Sequence, residues 1–131
     1  MPDNEIVFDH IHLISDDPQV TSSWYAEKLG GEITDRLEIR GTPQFVVTFN
    51  GVTIFIRGRR TGEELCGSKD LQWRTNHFGF HVNGDFDEFC DKLRQKGVVF
   101  TLDPVDFRPT VRIAFIEAPD GVSIELLQRK D

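Results

Sequence analysis

The residues best suited to chemistry are two histidines and one carboxylate. His10 lies in Phe8-Asp9-His10-Ile11-His12-Leu13, and 67 positions later His77 opens the similar run Asn76-His77-Phe78-Gly79-Phe80. A third run, Gly121-Val122-Ser123-Ile124-Glu125-Leu126-Leu127, sets one carboxylate among hydrophobic residues. An ionised group there is costly unless it is paired or bound to a metal. Two neutral imidazoles and a carboxylate are a sensible donor set for a divalent cation. The echo of the first histidine by the second suggests one duplicated unit with one shared metal. Taken singly, a histidine on an apolar strand is more often a satisfied core or rim residue than a ligand, so the argument depends on the three residues meeting.

The elements that must position them repeat in order. Ile6 to Ile14 reads as a strand apolar on both faces, with His10 and His12 side by side on one of them. Asp16-Asp17-Pro18 supplies an N-cap and a first-turn proline for a helix from about Pro18 to Leu29, with Val20, Trp24 and Leu29 on its inner side and Gly30-Gly31 at its end. Three β-like runs follow, Glu32 to Ile39, Pro43 to Asn50 and Val52 to Arg57, with Asn50-Gly51 a strong hairpin signal.

The polar stretch 58–75 reads as a connector, or a flap across a domain face. Then the order returns. His77 to Val82 is a strand, and Asp85 with Glu88 forms a capping-box pattern. Phe86, Phe89, Cys90 and Leu93 have the spacing of one buried helical face, which Gly97 stops. Val98 to Leu102, Thr110 to Glu117 and Val122 to Gln128 are three further strands. The expectation is an α+β fold of two tandem βαβββ modules, about 6–57 and 76–128, within a single domain of 131 residues. Gly51-Val52-Thr53-Ile54 aligns with Gly121-Val122-Ser123-Ile124 at an offset of 70, so the position equivalent to Glu125 is Phe55.

Composition narrows the partners. A formal charge of −7 argues against nucleic acid and against an anionic membrane surface, both of which need a concentrated positive field. Cys66 and Cys90 lack CxxC spacing, so neither a disulfide scaffold nor a zinc ribbon is indicated and a reducing cytoplasm is expected. The N-terminus has no signal-peptide pattern, and no apolar run approaches a membrane span.

Four motifs, in order and at repeat spacing, resemble the vicinal oxygen chelate superfamily of glyoxalases, epimerases, extradiol dioxygenases and bleomycin or fosfomycin resistance proteins. They are Asp9-His10-Ile11-His12-Leu13, then Trp24-Tyr25 leading to Leu29-Gly30, then Asn76-His77-Phe78-Gly79-Phe80, and last Ala114-Phe115-Ile116-Glu117-Ala118-Pro119-Asp120-Gly121 leading to Ile124-Glu125-Leu126. The resemblance covers essentially the whole chain. It implies a cupped mixed sheet around one divalent metal (Fe, Mn, Ni or Zn), with His10, His77 and Glu125 as ligands and a small substrate that chelates through neighbouring oxygens. It also implies a homodimer, in which ligands can come from one chain or from two.

Members similar to glyoxalase I carry a glutamate, or in some epimerases a glutamine, where this chain has Phe55. That departure favours a three-ligand chemistry, first an extradiol-type ring-cleavage oxygenase, over a glyoxalase I-like lyase, isomerase or epimerase. A non-catalytic binding or antibiotic-resistance protein is the reading from another class. His12 is either an acid/base group beside the metal or a histidine bonded to a neighbour. Arg57, on the face of Phe55, is either an anchor for an anionic substrate group or a solvated rim residue, and Phe55 would line the same site. Arg108 and Arg112 pose the same choice. Tyr25 is expected to pack, His81 to lie near a strand end, and Glu63-Glu64 to be a solvated loop pair.

Overall fold

Alternation of apolar and polar residues, broken by glycine turns, builds two similar four-stranded sheets, each with one covering helix. The computed structural model describes residues 7–67 and 71–130. Its elements are β1 (His10–Ile14), α1 (Pro18–Leu29), β2 (Glu32–Ile39), β3 (Thr42–Phe49), β4 (Val52–Arg57), β5 (Phe78–His81), α2 (Phe86–Gln95), β6 (Val99–Arg108), β7 (Val111–Glu117) and β8 (Ser123–Arg129). The chain divides into two compact units, Met1–Leu65 and Cys66–Asp131. Each unit runs βαβββ, so the fold is α+β with two modules, as the sequence implies.

In the first unit the strand order is β1-β4-β3-β2. The β1–β4 pair is parallel and the other two are antiparallel. The second unit has the order β5-β8-β7-β6 with the same directions. Both hairpin turns of the first unit have two successive residues at positive φ, Arg40 (53°) with Gly41 (77°) and Asn50 (43°) with Gly51 (87°). Paired positive φ values match the right-handed twist of the flanking strands.

The period of two sorts the side chains. Ile54 and Ile56 in β4 and Val47 in β3 are essentially fully buried on the side facing α1, while Thr53, Phe55 and Arg57 alternate with them on the other face. In the second unit Ile124 and Leu126 of β8 and Ile116 of β7 form the matching core, with Phe86, Cys90 and Leu93 of α2 buried in the same unit. Asp85 caps α2 by accepting from the Glu88 N–H at 3.0 Å. The cysteine is therefore packing material, and burial pushes its thiol up to about 11. A thiol held protonated in this way is a poor nucleophile.

Three local expectations need correction. The inner side of α1 is not Val20, Trp24 and Leu29: Val20 is 61% exposed, and the buried residues are Thr21, Ser22 and Tyr25. The reason is polar packing at the β1–α1 joint. The Ser15 and Thr21 hydroxyls are 2.6 Å apart, and Ser15 Oγ also accepts from the Asp17 N–H, so the small hydroxyl residues turn inward. Trp24, half-buried, stacks edge-on against Tyr25, which packs as expected. The first strand starts at His10 instead of Ile6; Val7 and Phe8 are exposed, and Ile6 lies outside the described residues.

The last correction concerns β6. It continues past Leu102 to Arg108, through Pro104. As the outer strand of its sheet it tolerates a residue with no N–H to donate, and the register shifts at Leu102 and again before Val105. Of the expected connector 58–75, residues 68–70 lie outside the described residues.

Candidate metal-binding residues

In the first unit, β1 and β4 run parallel with His10 opposite Thr53, His12 opposite Phe55 and Ile14 opposite Arg57. These residues share the face away from α1. The His10 and Phe55 rings meet edge-on at 4.4 Å, and His12 lies 5.8 Å from Phe55 and 6.2 Å from His10. His10 Nδ1 donates to Asp9 Oδ2 at 2.7 Å. A carboxylate only accepts, so the proton of this imidazole is on Nδ1 and Nε2 carries the lone pair. The His12 imidazole is held below its ordinary value, first by burial and then by the positive charge of Arg57.

Arg57 is neither a free anion anchor nor a solvated rim residue. Its guanidinium forks onto Glu63, NH1 to Oε1 at 2.7 Å and NH2 to Oε2 at 3.0 Å, and NH1 also donates to the Gly58 carbonyl. Glu63 Oε1 accepts the Arg60 N–H as well, at 2.7 Å. The guanidinium is thus neutralised from its own chain. Glu63, expected to be solvated, is the clasp that fixes the first turn of the connector. Its carboxyl is held at about 2, first by the Arg57 hydrogen bonds and next by the Arg60 N–H.

That shift has a measurable consequence. The folded-state value is depressed from about 4.5, so the contribution of Glu63 is present above pH 4.5 and is lost as pH falls towards about 2. Urea unfolding of wild type and Glu63→Gln across that window should show a stability gap that closes on acidification. A gap that stays constant would contradict the clasp.

The second unit has the equivalent rungs with different residues. Gly79 stands opposite Glu125 on the β5–β8 ladder, as His12 stands opposite Phe55 on the first. A Cβ at Gly79 would lie 3.2 Å from the Glu125 carbonyl oxygen and 3.5 Å from its Cβ. His77, immediately before β5, packs edge-on against Phe115 at 4.9 Å and has its Nδ1 2.8 Å from Asn76 Oδ1. Its Nε2 lies 3.0 Å from Glu125 Oε1. Nδ1 and Nε2 thus each face an acceptor oxygen, so the proton of a neutral ring serves one of them and an imidazolium serves both.

A proton on Nε2 joins His77 to Glu125, and a cation that displaces it meets one nitrogen and one oxygen donor. The donor chemistry of His77 and Glu125 therefore fits a divalent ion. Among the described residues no group of three or more His, Cys, Asp or Glu residues gathers closely enough to hold a metal ion, and the pair is complete within one unit.

The other singled-out residues lie elsewhere. His81, exposed, is the last residue of β5. Arg108 is exposed, whereas Arg112 is tied to Asp87 and to Asp106 at 3.0 Å each. Lys130 reaches the same Asp106, and the Gln128 amide donates to the Val82 and Gly84 carbonyls. The depression these side chains line at the start of α2 is closed by internal pairing, unlike an anion cradle. Asp9 and Asn76 were legible in the sequence as the residues preceding each histidine, but only the hydrogen bonds give them a role.

An α+β chain of two βαβββ modules is the class these features define. The model of the Glyoxalase/Bleomycin resistance protein/Dioxygenase superfamily matches residues 7–126, and the chain belongs to that superfamily. A Frankia sp. EAN1pec glyoxylase/bleomycin resistance protein/dioxygenase domain has a similar structure, with a TM-score of 0.81 at 20% identity over 98% of this chain and 95% of that one. A Bacillus cereus glyoxalase family protein gives 0.79 at 16% identity over 100% and 99%. The lactoylglutathione lyase of Escherichia coli O157:H7 is 50% identical over 46 residues, which are 34% of this chain and 33% of that protein. The chain thus matches about a third of the length of that relative. Among the described residues, no helix is long and apolar enough to cross a membrane.

Proposed function

We propose that the protein is a divalent-metal-dependent enzyme acting on a small substrate with two neighbouring oxygens, and that its ligands are His10, His77 and Glu125. The observation that carries this reading is the 3.0 Å approach of His77 Nε2 to Glu125 Oε1. When bound, a divalent ion supplies Lewis acidity or a site for oxygen activation. The His10 ligand comes from the first unit, of the same chain or of a partner copy in a homodimer. Phe55 shields His10 with its ring and supplies neither a ligand nor a base, which leaves coordination positions for substrate. His12, beside Phe55 on that face, is the acid/base group. Arg57, clasped by Glu63, holds the end of β4 in place.

Within the superfamily this three-ligand set favours ring cleavage by an extradiol-type oxygenase. The test is oxygen uptake across a panel of catechols, with the protein stripped of metal and reloaded with Fe(II), Mn(II), Ni(II) or Zn(II) in turn. Uptake that depends on a redox-active ion and is lost in His12→Phe supports the reading. No uptake with any catechol would sink it. A second reading, glyoxalase-like lyase chemistry, is favoured by the 46-residue similarity to a lactoylglutathione lyase. Metal-dependent turnover of lactoylglutathione in the same preparations would establish it in place of the first.

A further inference from the structure

Both candidate histidines are preceded by a side chain that receives their Nδ1. Asp9 Oδ2 lies 2.7 Å from His10 Nδ1, and Asn76 Oδ1 lies 2.8 Å from His77 Nδ1. The first contact is made just before β1 and the second just before β5, so the two modules place the same device at equivalent points. Neutral imidazole has one proton for two nitrogens, and the nitrogen that keeps it cannot bind a cation. An acceptor fixed at Nδ1 therefore decides that Nε2 is the donor atom.

We infer that Asp9 and Asn76 are positioning residues that hold His10 and His77 as Nδ1–H imidazoles, each presenting Nε2 to the metal. The inference rests on the ligand assignment proposed above. It goes beyond that assignment by naming the donor nitrogen of each ring and the residue that selects it.

The two devices differ in charge. Asp9 can only accept, so it locks the proton of His10 on Nδ1 and makes the ring a stronger donor. Asn76 is a neutral acceptor and is opposed by Glu125, 3.0 Å from the other nitrogen of His77. The resting tautomer therefore reports on His10, and metal affinity reports on His77.

The full chain, freed of metal and labelled with ¹⁵N at histidine, is examined by long-range ¹⁵N–¹H correlation at a pH where the rings are neutral. His10 in wild type should be the Nδ1–H form. Asp9→Leu should move it towards Nε2–H, and Asp9→Asn should keep it. Zn²⁺ alone, titrated against a competing chelator, should bind Asn76→Leu about 10- to 100-fold more weakly than wild type, while Asn76→Asp stays within a few fold.

Asp9 is exposed and neither residue belongs to a strand, and a role in folding alone would not set a tautomer or be rescued by the isosteric change. An Nε2–H form of His10 in wild type, or equal Zn²⁺ affinity in Asn76→Leu and wild type, would overturn the inference. Failure of wild type to bind Zn²⁺ would instead overturn the ligand assignment, with the His10 tautomer still deciding the role of Asp9.

Discussion

Replacing Glu125 by alanine should abolish stoichiometric metal binding while leaving the fold intact. The carboxylate lies on the face of β8 away from α2, beside Gly79 and within 3.0 Å of His77 Nε2. Truncation there removes no packed core atom, since the buried neighbours Ile124 and Leu126 point to the opposite face. It does remove the one anionic donor of the proposed set. Losing a hydrogen-bonding neighbour of a ligand already costs roughly 10- to 100-fold in affinity, and losing the ligand itself should cost at least roughly the upper figure. Glu125→Gln, which keeps the shape and one carbonyl oxygen, should fall between.

Elemental analysis of protein purified without a chelating tag gives the direct readout, with circular dichroism to show that the variants are folded. A second readout is thermal. An ion that binds only the folded state raises the melting temperature in proportion to its affinity. Added metal should therefore stabilise wild type and leave Glu125→Ala unchanged. Equal metal content in the two proteins would remove Glu125 from the ligand set.

Ile124→Ala should be the most destabilising single change in β8, and it should weaken metal binding as a by-product. Ile124 is fully buried, and its alternation with Glu125 is what turns the carboxylate outward. Deleting its branched side chain leaves a cavity as well as losing transfer energy, for a cost of about 2–5 kcal/mol. The equivalent change in the first unit, Ile54→Ala, removes an equally buried side chain at the matching position of β4 and should cost a similar amount. Only Ile124→Ala lies next to the proposed ligand, so it alone should lower metal affinity.

Urea denaturation measures the first effect and chelator competition the second. Ile124→Leu, which preserves volume, should cost less than about 1.5 kcal/mol and retain metal. A loss below about 1 kcal/mol in either alanine variant would contradict the core assignment of these positions.

The asymmetry between the modules gives the functional argument its direction. On equivalent rungs the first module places His12 beside Phe55, two bulky rings, and the second places Gly79, which has no side chain, beside the Glu125 carboxylate. In the strand cores Ile54 and Ile56 of one unit answer to Ile124 and Leu126 of the other, whereas α1 buries Thr21, Ser22 and Tyr25 and α2 buries Phe86, Cys90 and Leu93.

The architecture was legible in the chain because it is carried by short-range signals. Alternating residues in the strands, the Asp17 and Asp85 caps, Gly30 and Gly97 at the helix ends, and the Asn50-Gly51 turn each act over a few residues. The echo of His10 in His77 and the offset that makes Phe55 the partner of Glu125 are also sequence facts, and the ladder register agrees with that offset. Tertiary structure decided what periodicity could not. Helix α1 has no clear apolar stripe, so its inner face was set by hydroxyls meeting at Ser15 and Thr21. Strand β6 passed Pro104 because it lies at a sheet edge, and edge position is a property of the whole sheet. Arg57 was spoken for by Glu63, and Nδ1 of each histidine lies against a side-chain oxygen of the residue before it. The hydroxyl, guanidinium and imidazole contacts depend on where a polar side chain finds its partner, and neither hydrophobic pattern nor backbone preference carries that information.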